Sequence, residues 1–191
     1  RIPPIKLYKK DVLDEQLLRL WAANVRAPKS VYADSAAQVA SIRIGELRLF
    51  DLIEREGIAN VQAGIAHLMD YCEELLRSRI RQVPNGEYTY FDYMDDSGQG
   101  TEPVRIMCTM TVGDDDLTFD FSGTDPQVKC PINMPHAVTC SATYGAVKCV
   151  LVPDAPLNAG MYRAMDVTAP QDSLANASYP APVAAGQTNG S

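Results

Sequence analysis

One polar loop, between positions 120 and 133, holds the side chains best suited to chemistry. Asp120, Ser122, Thr124 and Asn133 place a carboxylate, two hydroxyls and an amide close together in the sequence. Around Gly123, these groups could bind a carbonyl or carboxylate of a substrate, or stabilise an oxyanion. They could equally satisfy the backbone of their own loop. The Gly-x-Ser-x-Gly context of a hydrolase nucleophile is missing, so we do not expect Ser122 to act as a nucleophile. We interpret the loop as lining a substrate site or an interface.

Three further carboxylates, those of Asp92, Asp95 and Asp96, precede this loop. Together with Asp120 they could bind a divalent cation, because such cations prefer oxygen ligands. However, Asp95 and Asp96 are followed by a serine and a glycine, which is typical of a turn after a strand. We favour the turn, and we assign no metal ligand in this sequence.

A histidine between two cysteines forms the third candidate. His136 lies between Cys130 and Cys140, and such a set could hold a metal or pair a thiol with a base. The spacing matches no zinc pattern, and no third group is evident to orient the histidine. We therefore expect His136 to start a helix and bond local backbone. We also expect all five cysteines to be thiols, as in a cytoplasmic protein.

Alternating apolar residues predict the sheet that carries the polar loop. Residues 104–112 and 117–121 both alternate between apolar and polar side chains, and the turn 113–116 joins them. We predict an antiparallel hairpin with one buried face, preceded by a strand over 88–94.

The region after the loop predicts one helix and one short strand. Pro135 suits a first helical position, and residues 137–152 predict a helix. A proline-rich tail follows, with a short strand over 163–168.

The first 84 residues predict three helices. Residues 1–10 read as extended, and a first helix starts at Asp11 or Asp14, reaches about Val25 and ends before Pro28.

The second helix is predicted from Asp34-Ser35 to Glu56, with Gly57 as its stop, and Asn60 is predicted to cap the third. The fold class is therefore α+β, with a helical part over 1–84 and a sheet-plus-helix part over 85–191. No flexible linker separates the two parts, so we expect one unit over 1–191.

Charge limits the partners of the chain. Its net charge is −7; residues 1–86 carry 13 Lys/Arg against 11 Asp/Glu, and residues 87–191 carry 4 against 13. Nucleic acids and anionic membranes bind basic surfaces, so the acidic second half argues against both. No apolar run approaches the roughly 18 residues of a membrane span.

The polar loop also carries a family resemblance. Asp-Phe-Ser-Gly-Thr at 120–124, followed by Pro-Ile-Asn at 131–133, resembles the central signature of the hydantoinase B family. Further pieces resemble the family in the same order, at 1–8, 23–26, 94–98, 153–160 and 180–183. The resemblance is to the central part of a polypeptide of several hundred residues, so we expect this chain to be a portion of one.

The resemblance implies an ATP-dependent enzyme that opens a cyclic amide such as a hydantoin or 5-oxoproline. A related branch of the family carboxylates ketones, and a non-catalytic scaffold or interaction module is the other alternative. In such enzymes an A-type partner handles ATP with magnesium, and a divalent metal site lies in another part of the B-type polypeptide. This sequence has no phosphate-binding loop, so we expect the chain by itself to be inactive.

Overall fold

The structure, a computed structural model, describes residues 4–96, 100 and 102–185. Its elements divide into two units, Arg1–Ala63 and Gly64–Ser191. The described residues form four α-helices, a two-stranded sheet and a four-stranded sheet, which confirms the α+β class. Whether the chain folds as one unit stays a prediction. Ser97 and Gly98, which complete the predicted turn after Asp96, lie outside the described residues.

The first unit begins with a hairpin where the sequence predicted only an extended segment. Strands β1 (Tyr8–Lys9) and β2 (Val12–Leu13) pair antiparallel. The two residues between them, Lys10 and Asp11, have φ angles of 49° and 62°. Hairpin turns of two residues need such positive angles, which glycine and asparagine usually supply. The sequence lacks those residues here, so the turn gave no local signal.

Helix α1 (Glu15–Ala23) follows, and Asp14 is its cap, as predicted. A carboxylate oxygen of Asp14 accepts a hydrogen bond of 3.1 Å from the backbone N–H of Leu17. Such a bond satisfies one of the backbone donors that the first helical turn leaves free.

Helix α2 (Pro28–Glu56) begins about two turns earlier than predicted, and Pro28 starts this helix rather than ending the previous one. Proline is tolerated in a first turn because the backbone N–H that it lacks would have no partner there. Ser35 lies inside α2, and its hydroxyl donates to the carbonyl of Val31 at 2.6 Å. The predicted stop is confirmed, since Gly57 ends the helix with a φ of 81°.

Helix α3 (Ile58–Ile80) contains the division between the two units. Asn60 lies within its first turn rather than before it, and its side-chain amide donates to the Glu56 carbonyl at 2.9 Å. The C-terminal half of α3 buries Cys72, Leu76 and Ile80 completely. These three side chains belong to the core of the second unit.

The four-stranded sheet of the second unit consists of β3 (Gly86–Met94), β4 (Val104–Val112), β5 (Leu117–Asp120) and β6 (Met165–Thr168). The strands lie in that order; β3, β4 and β5 run antiparallel, which confirms the predicted hairpin, and β6 runs parallel to β5. A 3-10 helix, Met161–Ala164, precedes β6, so the strand is shorter than predicted.

The core lies on one face of this sheet. Leu117 and Phe119 of β5 and Val112 of β4 are buried in it, together with Val147 of helix α4 (His136–Leu151). The predicted buried face of the hairpin is thus confirmed. All five cysteines are free thiols, as predicted. No helix among the described residues has both the length and the hydropathy that a membrane span requires.

Candidate functional site

The polar loop leaves the sheet where two parallel strands end. Asp120 is the last residue of β5 and is paired with Thr168, the last residue of β6. The N–H of Phe121 continues the ladder by donating to the Thr168 carbonyl at 2.9 Å. The carboxyl ends of parallel strands are a common position for ligand sites, because chains diverge there and leave a crevice.

The carboxylate of Asp120 is held ionised by its neighbours. One of its oxygens accepts the backbone N–H of Ser122 at 2.9 Å and the hydroxyl of Thr168 at 3.4 Å. Hydrogen bonds from the hydroxyl and the backbone of Ser122 lower the pKa of Asp120 below its ordinary value. At neutral pH this group can therefore accept a hydrogen bond, and its lowered pKa makes it both a poor proton donor and a weak base.

Gly123 makes the tight turn after Asp120 possible. Its φ is 93°, and a Cβ at this position would come within 2.7 Å of the sulfur of Met107. Glycine alone meets both conditions without strain.

Thr124 is buried beside β4, where its hydroxyl accepts from the N–H of Met107 at 3.1 Å and donates to the carbonyl of Met107 at 3.0 Å. The hydroxyl thus makes the two hydrogen bonds to the backbone of Met107 that a neighbouring strand would otherwise make. The Thr124 hydroxyl, one of the candidates from the sequence, is therefore fully bonded to backbone groups.

Asp125 has a comparable role that the sequence reasoning missed. Its carboxylate accepts from the N–H of Arg105 at 2.7 Å, and its own N–H donates to the Arg105 carbonyl at 3.0 Å. Residues 124 and 125 therefore cover the part of β4 that extends beyond β5. An aspartate before a proline is a common turn signal, so the bend at Asp125 was predictable from the sequence. The same signal does not show that the carboxylate would bond Arg105 on β4.

Asn133 is fully buried, and its amide is surrounded by backbone. Its oxygen accepts from the N–H of Val128 at 2.7 Å. Its nitrogen lies 2.8 Å from each of three carbonyl oxygens, those of Val128, Cys130 and Pro182. The side chain thus closes its own loop, which is the alternative that the sequence left open, and it also joins this loop to the tail.

The tail beyond β6 interlocks with the polar loop over a longer stretch. The N–H of Leu174 donates to the Asp125 carbonyl at 2.9 Å, and the N–H of Met134 donates to the Leu174 carbonyl at 2.7 Å. The N–H of Ala177 returns to the Met134 carbonyl at 2.9 Å. Leu174, Met134 and Ala177 are buried. The loop and the tail therefore form one block of irregular backbone whose polar groups pair with each other, as burial requires.

His136 is the first residue of α4, as predicted, but it bonds the distant strand β6 rather than local backbone, because α4 packs beside that strand. Its Nε2 lies 3.1 Å from the carbonyl of Val167, so this nitrogen carries the proton and donates it. The sulfur of Cys140 lies 3.7 Å from the same ring nitrogen, and burial raises the pKa of this thiol. A thiol that stays protonated is a poor nucleophile, so the pair gives no sign of thiol catalysis.

The structure does not bring the four predicted carboxylates together. Thr89, Thr109 and Asp120 are register neighbours, so Asp120 lies on their face of the sheet, whereas Asp92 is paired with Ile106 on the opposite face. Asp95 and Asp96 are exposed beyond the end of β3. In the described part of the chain, no three His, Cys, Asp or Glu side chains are placed to hold a metal ion.

The arrangement therefore offers an ionised carboxylate at the C-terminal end of an inner strand, held by hydrogen bonds from Ser122 and Thr168. Asp120 and Ser122 are partly exposed, whereas Thr124 and Asn133 are buried behind them. A site needs such a division between groups that face the ligand and groups that hold them in place.

Comparison with known proteins identifies relatives along the whole chain. The family described as Hydantoinase B/oxoprolinase matches residues 1–191. A protein of Pseudomonas sp. (strain NS671), provisionally named as the B component of a D-/L-hydantoinase, is 38% identical over 192 residues, covering 95% of this chain and 32% of that protein. The caprolactamase beta component of Pseudomonas jessenii is 33% identical over 184 residues, covering 95% of this chain and 31% of that protein. This chain thus spans about a third of the length of these relatives.

Two solved structures share the fold. The crystal structure of ATP-dependent caprolactamase from Pseudomonas jessenii superposes with a TM-score of 0.82 at 29% identity, covering 97% of this chain and 32% of that chain. The nucleotide-free structure of acetone carboxylase superposes with a TM-score of 0.81 at 16% identity, covering 96% of this chain and 26% of that chain. At 16% identity the second likeness shows the fold alone.

Proposed function

Since this chain belongs to the hydantoinase B/oxoprolinase family, we propose that it is part of the B-type component of an ATP-dependent enzyme that opens cyclic amides. Ring opening adds water across the C–N bond of the amide and leaves a carboxylate together with an amine or, from a hydantoin, a carbamoyl nitrogen. The substrate class is a hydantoin, 5-oxoproline or a lactam.

The similarity to caprolactamase carries this proposal. The caprolactamase beta component matches 95% of the chain, and the solved caprolactamase is named as ATP-dependent. The provisionally named hydantoinase component matches the same share of the chain. A lactam and a hydantoin have a ring amide in common, so the relatives agree on the bond that is broken.

A ketone carboxylase of the same family is the second candidate. The acetophenone carboxylase delta subunit of Aromatoleum aromaticum (strain DSM 19018 / LMG 30748 / EbN1) favours it, since it is 28% identical over 135 residues, or 69% of this chain. The caprolactamase beta component is 33% identical over 95% of this chain, and this difference places the carboxylase second.

The partner in this proposal is an A-type subunit that binds ATP with magnesium and activates the substrate. The names of the relatives support a partner, since both proteins are named as one subunit of an enzyme. We further propose a divalent metal held by another part of the B-type polypeptide, because the described residues bring no metal-binding group together. The free thiols fit a cytoplasmic location.

Within the enzyme, we assign the Asp120–Asn133 loop to the wall of the site. Asp120 would accept a hydrogen bond from water or from a ring N–H, because its lowered pKa keeps it ionised but makes it a weak base. Asn133 would hold the loop rather than touch the substrate, because its amide is bonded to backbone on all sides.

The test is turnover by the full-length protein purified with its A-type partner. We expect nucleotide hydrolysis coupled to ring opening of at least one of hydantoin, 5-oxoproline and caprolactam, without bicarbonate. Bicarbonate-dependent carboxylation of acetone or acetophenone would instead establish the second candidate. A stable complex that turns over none of these compounds would support the scaffold alternative and contradict the proposal.

A further inference from the structure

Strand β3 forms one edge of the four-stranded sheet. It pairs with β4 along all nine of its residues, and no other described strand lies on its outer side. Every residue from Gly86 to Tyr93 is exposed. A free edge of this length presents a row of unpaired backbone N–H and C=O groups, which another extended segment can pair with.

Four aromatic rings lie on this exposed strand. Tyr88, Tyr90, Phe91 and Tyr93 are 43%, 74%, 53% and 52% exposed. The rings of Phe91 and Tyr93 pack edge to face, with centroids 5.8 Å apart. Tyrosine and phenylalanine are enriched at protein interfaces, where they supply large apolar contacts at low entropic cost.

The strand lacks the devices that protect a free edge. Natural edges that stay uncovered carry lysine or proline, or bend away at a bulge. Residues 86–94 contain no Lys, Arg or Pro, and their pairing with β4 runs without a bulge from Gly86 to Met94. Their only charges are those of Glu87 and Asp92. The strand therefore has the composition of a covered strand.

An unsatisfied donor lies beside the same strand. Arg105 of β4 is the register partner of Tyr93, and its Nε is buried without a hydrogen-bond partner among the described residues. Buried donors of folded proteins almost always find an acceptor. We therefore expect its acceptor to come from a group outside the described residues.

We propose that the outer edge of β3 receives an extended segment of the same polypeptide, from outside residues 1–191, as a fifth strand of the sheet. The length of the relatives supports this occupant, since the hydantoinase and caprolactamase proteins are about three times as long as the part matched here. Because Tyr88 and Tyr90 lie on one face of β3 and Phe91 and Tyr93 on the other, the segment would have apolar side chains on both faces, and neutral or basic charge.

The charges disfavour a second copy of this chain as the occupant. Residues 87–191 carry 4 Lys/Arg against 13 Asp/Glu, and a second β3 strand would bring no cation to offset Glu87 and Asp92 of either copy. The inference rests on family membership and on the sheet, and it holds whichever reaction the enzyme performs.

Hydrogen exchange in the full-length protein, purified without partner subunits, tests this inference. We expect all backbone amides of residues 87–93 to exchange at least about tenfold more slowly than unpaired chain. Rapid exchange of every second amide would show a free edge and overturn the proposal. Protection that appears only with an added partner, or only as protein concentration rises, would also overturn it, in favour of a partner or a second copy.

A matched pair of variants checks the location. Tyr90→Lys adds a charge to a side chain that is 74% exposed on β3, and Val150→Lys adds one to a side chain that is 77% exposed on α4. We expect Tyr90→Lys to speed exchange over residues 87–93 at least about tenfold and Val150→Lys to leave it unchanged. Equal exchange over residues 87–93 in both variants would contradict the inference. If Tyr90→Lys does not fold, the exchange pattern of the unaltered protein decides whether β3 is covered.

Discussion

Asp120 is the residue on which the proposed chemistry depends most directly. It is partly exposed at the end of β5, and the hydrogen bonds from Ser122 keep it ionised at neutral pH. In the full-length enzyme with its A-type partner, we expect Asp120→Asn to lower ATP-dependent turnover at least about 100-fold, because the neutral amide lacks the negative charge of the carboxylate. Melting temperature should change little by comparison.

The control for this variant is Asp92→Asn, which removes a carboxylate from the opposite face of the same sheet. It should leave turnover unchanged. If Asp120→Asn retains full turnover per folded molecule while its stability falls, the assignment of Asp120 to the site is wrong and the residue is structural.

Asn133 is expected to act through stability. Asn133→Ala would leave one buried N–H and three carbonyl oxygens without their partner, and we expect a loss of about 1–3 kcal/mol in the free energy of unfolding. Asn133→Asp keeps the shape of the side chain but directs a carboxylate at the carbonyls, so it should destabilise at least as much. Chemical denaturation measures both variants, and a loss of turnover without a loss of stability in Asn133→Ala would show that the amide contacts substrate instead.

At the scale of elements, Gly160 permits close contact between a loop and α3. A Cβ on Gly160 would collide with the backbone carbonyl of Met69. The neighbouring Asn158 donates to the sulfur of Cys72 at 3.0 Å and fixes the same contact. We expect Gly160→Ala to cost about 1–3 kcal/mol of stability. Gly145→Ala is the control, since a Cβ there meets nothing within 4 Å and alanine favours the α4 helix; equal losses in both variants would contradict the argument.

Arg77 joins three elements through one guanidinium. It donates to Glu73 at 2.9 Å on its own helix, to Asp115 in the β4–β5 turn at 3.1 Å, and to the Arg163 carbonyl in the 3-10 helix at 3.2 Å. We expect Arg77→Met to cost about 1–2 kcal/mol at neutral pH. Arg19→Met, which breaks an exposed pair with Glu15, should cost less than about 0.5 kcal/mol.

The effect of Arg77 should depend on pH. Hydrogen bonds from Arg77 and then Arg163 lower the pKa of Glu73. Such a carboxylate stabilises the fold above its unfolded pKa, and this stabilisation is lost as pH falls through the folded pKa. The stability difference between native protein and Arg77→Met should therefore shrink in acid. A difference that stays constant from neutral pH to below the folded pKa would contradict the role of the ion pair.

For the whole molecule, we expect residues 1–191 to unfold in one thermal transition. The division between the two units lies inside α3, so separating the units would break hydrogen bonds of a continuous helix. No Gly/Ser- or Pro-rich linker is present at the division to allow independent motion. Calorimetry measures this directly, and two well-separated transitions would contradict the prediction.

Local periodicity was enough to predict most elements of this protein. The alternation over 104–112 and 117–121 predicted the hairpin and its buried face, because side chains along a strand alternate between two environments. The end of α2 at Gly57 and the cap of α1 at Asp14 were also predictable, because each depends on a residue within one turn of the helix. The ordered motifs likewise sufficed for the family.

The partners of the polar loop depended on the tertiary structure. Asn133 bonds to Pro182, Thr124 bonds to Met107, and β6 pairs in parallel with β5 after a long connection. A local pattern shows that a side chain is polar, but not which distant backbone it will meet once the chain is packed. The sequence therefore determined where the candidate site lies in the chain. Only the folded structure decided that Asp120 and Ser122 stay accessible while Thr124 and Asn133 are buried to hold the loop, because burial depends on what packs over each residue.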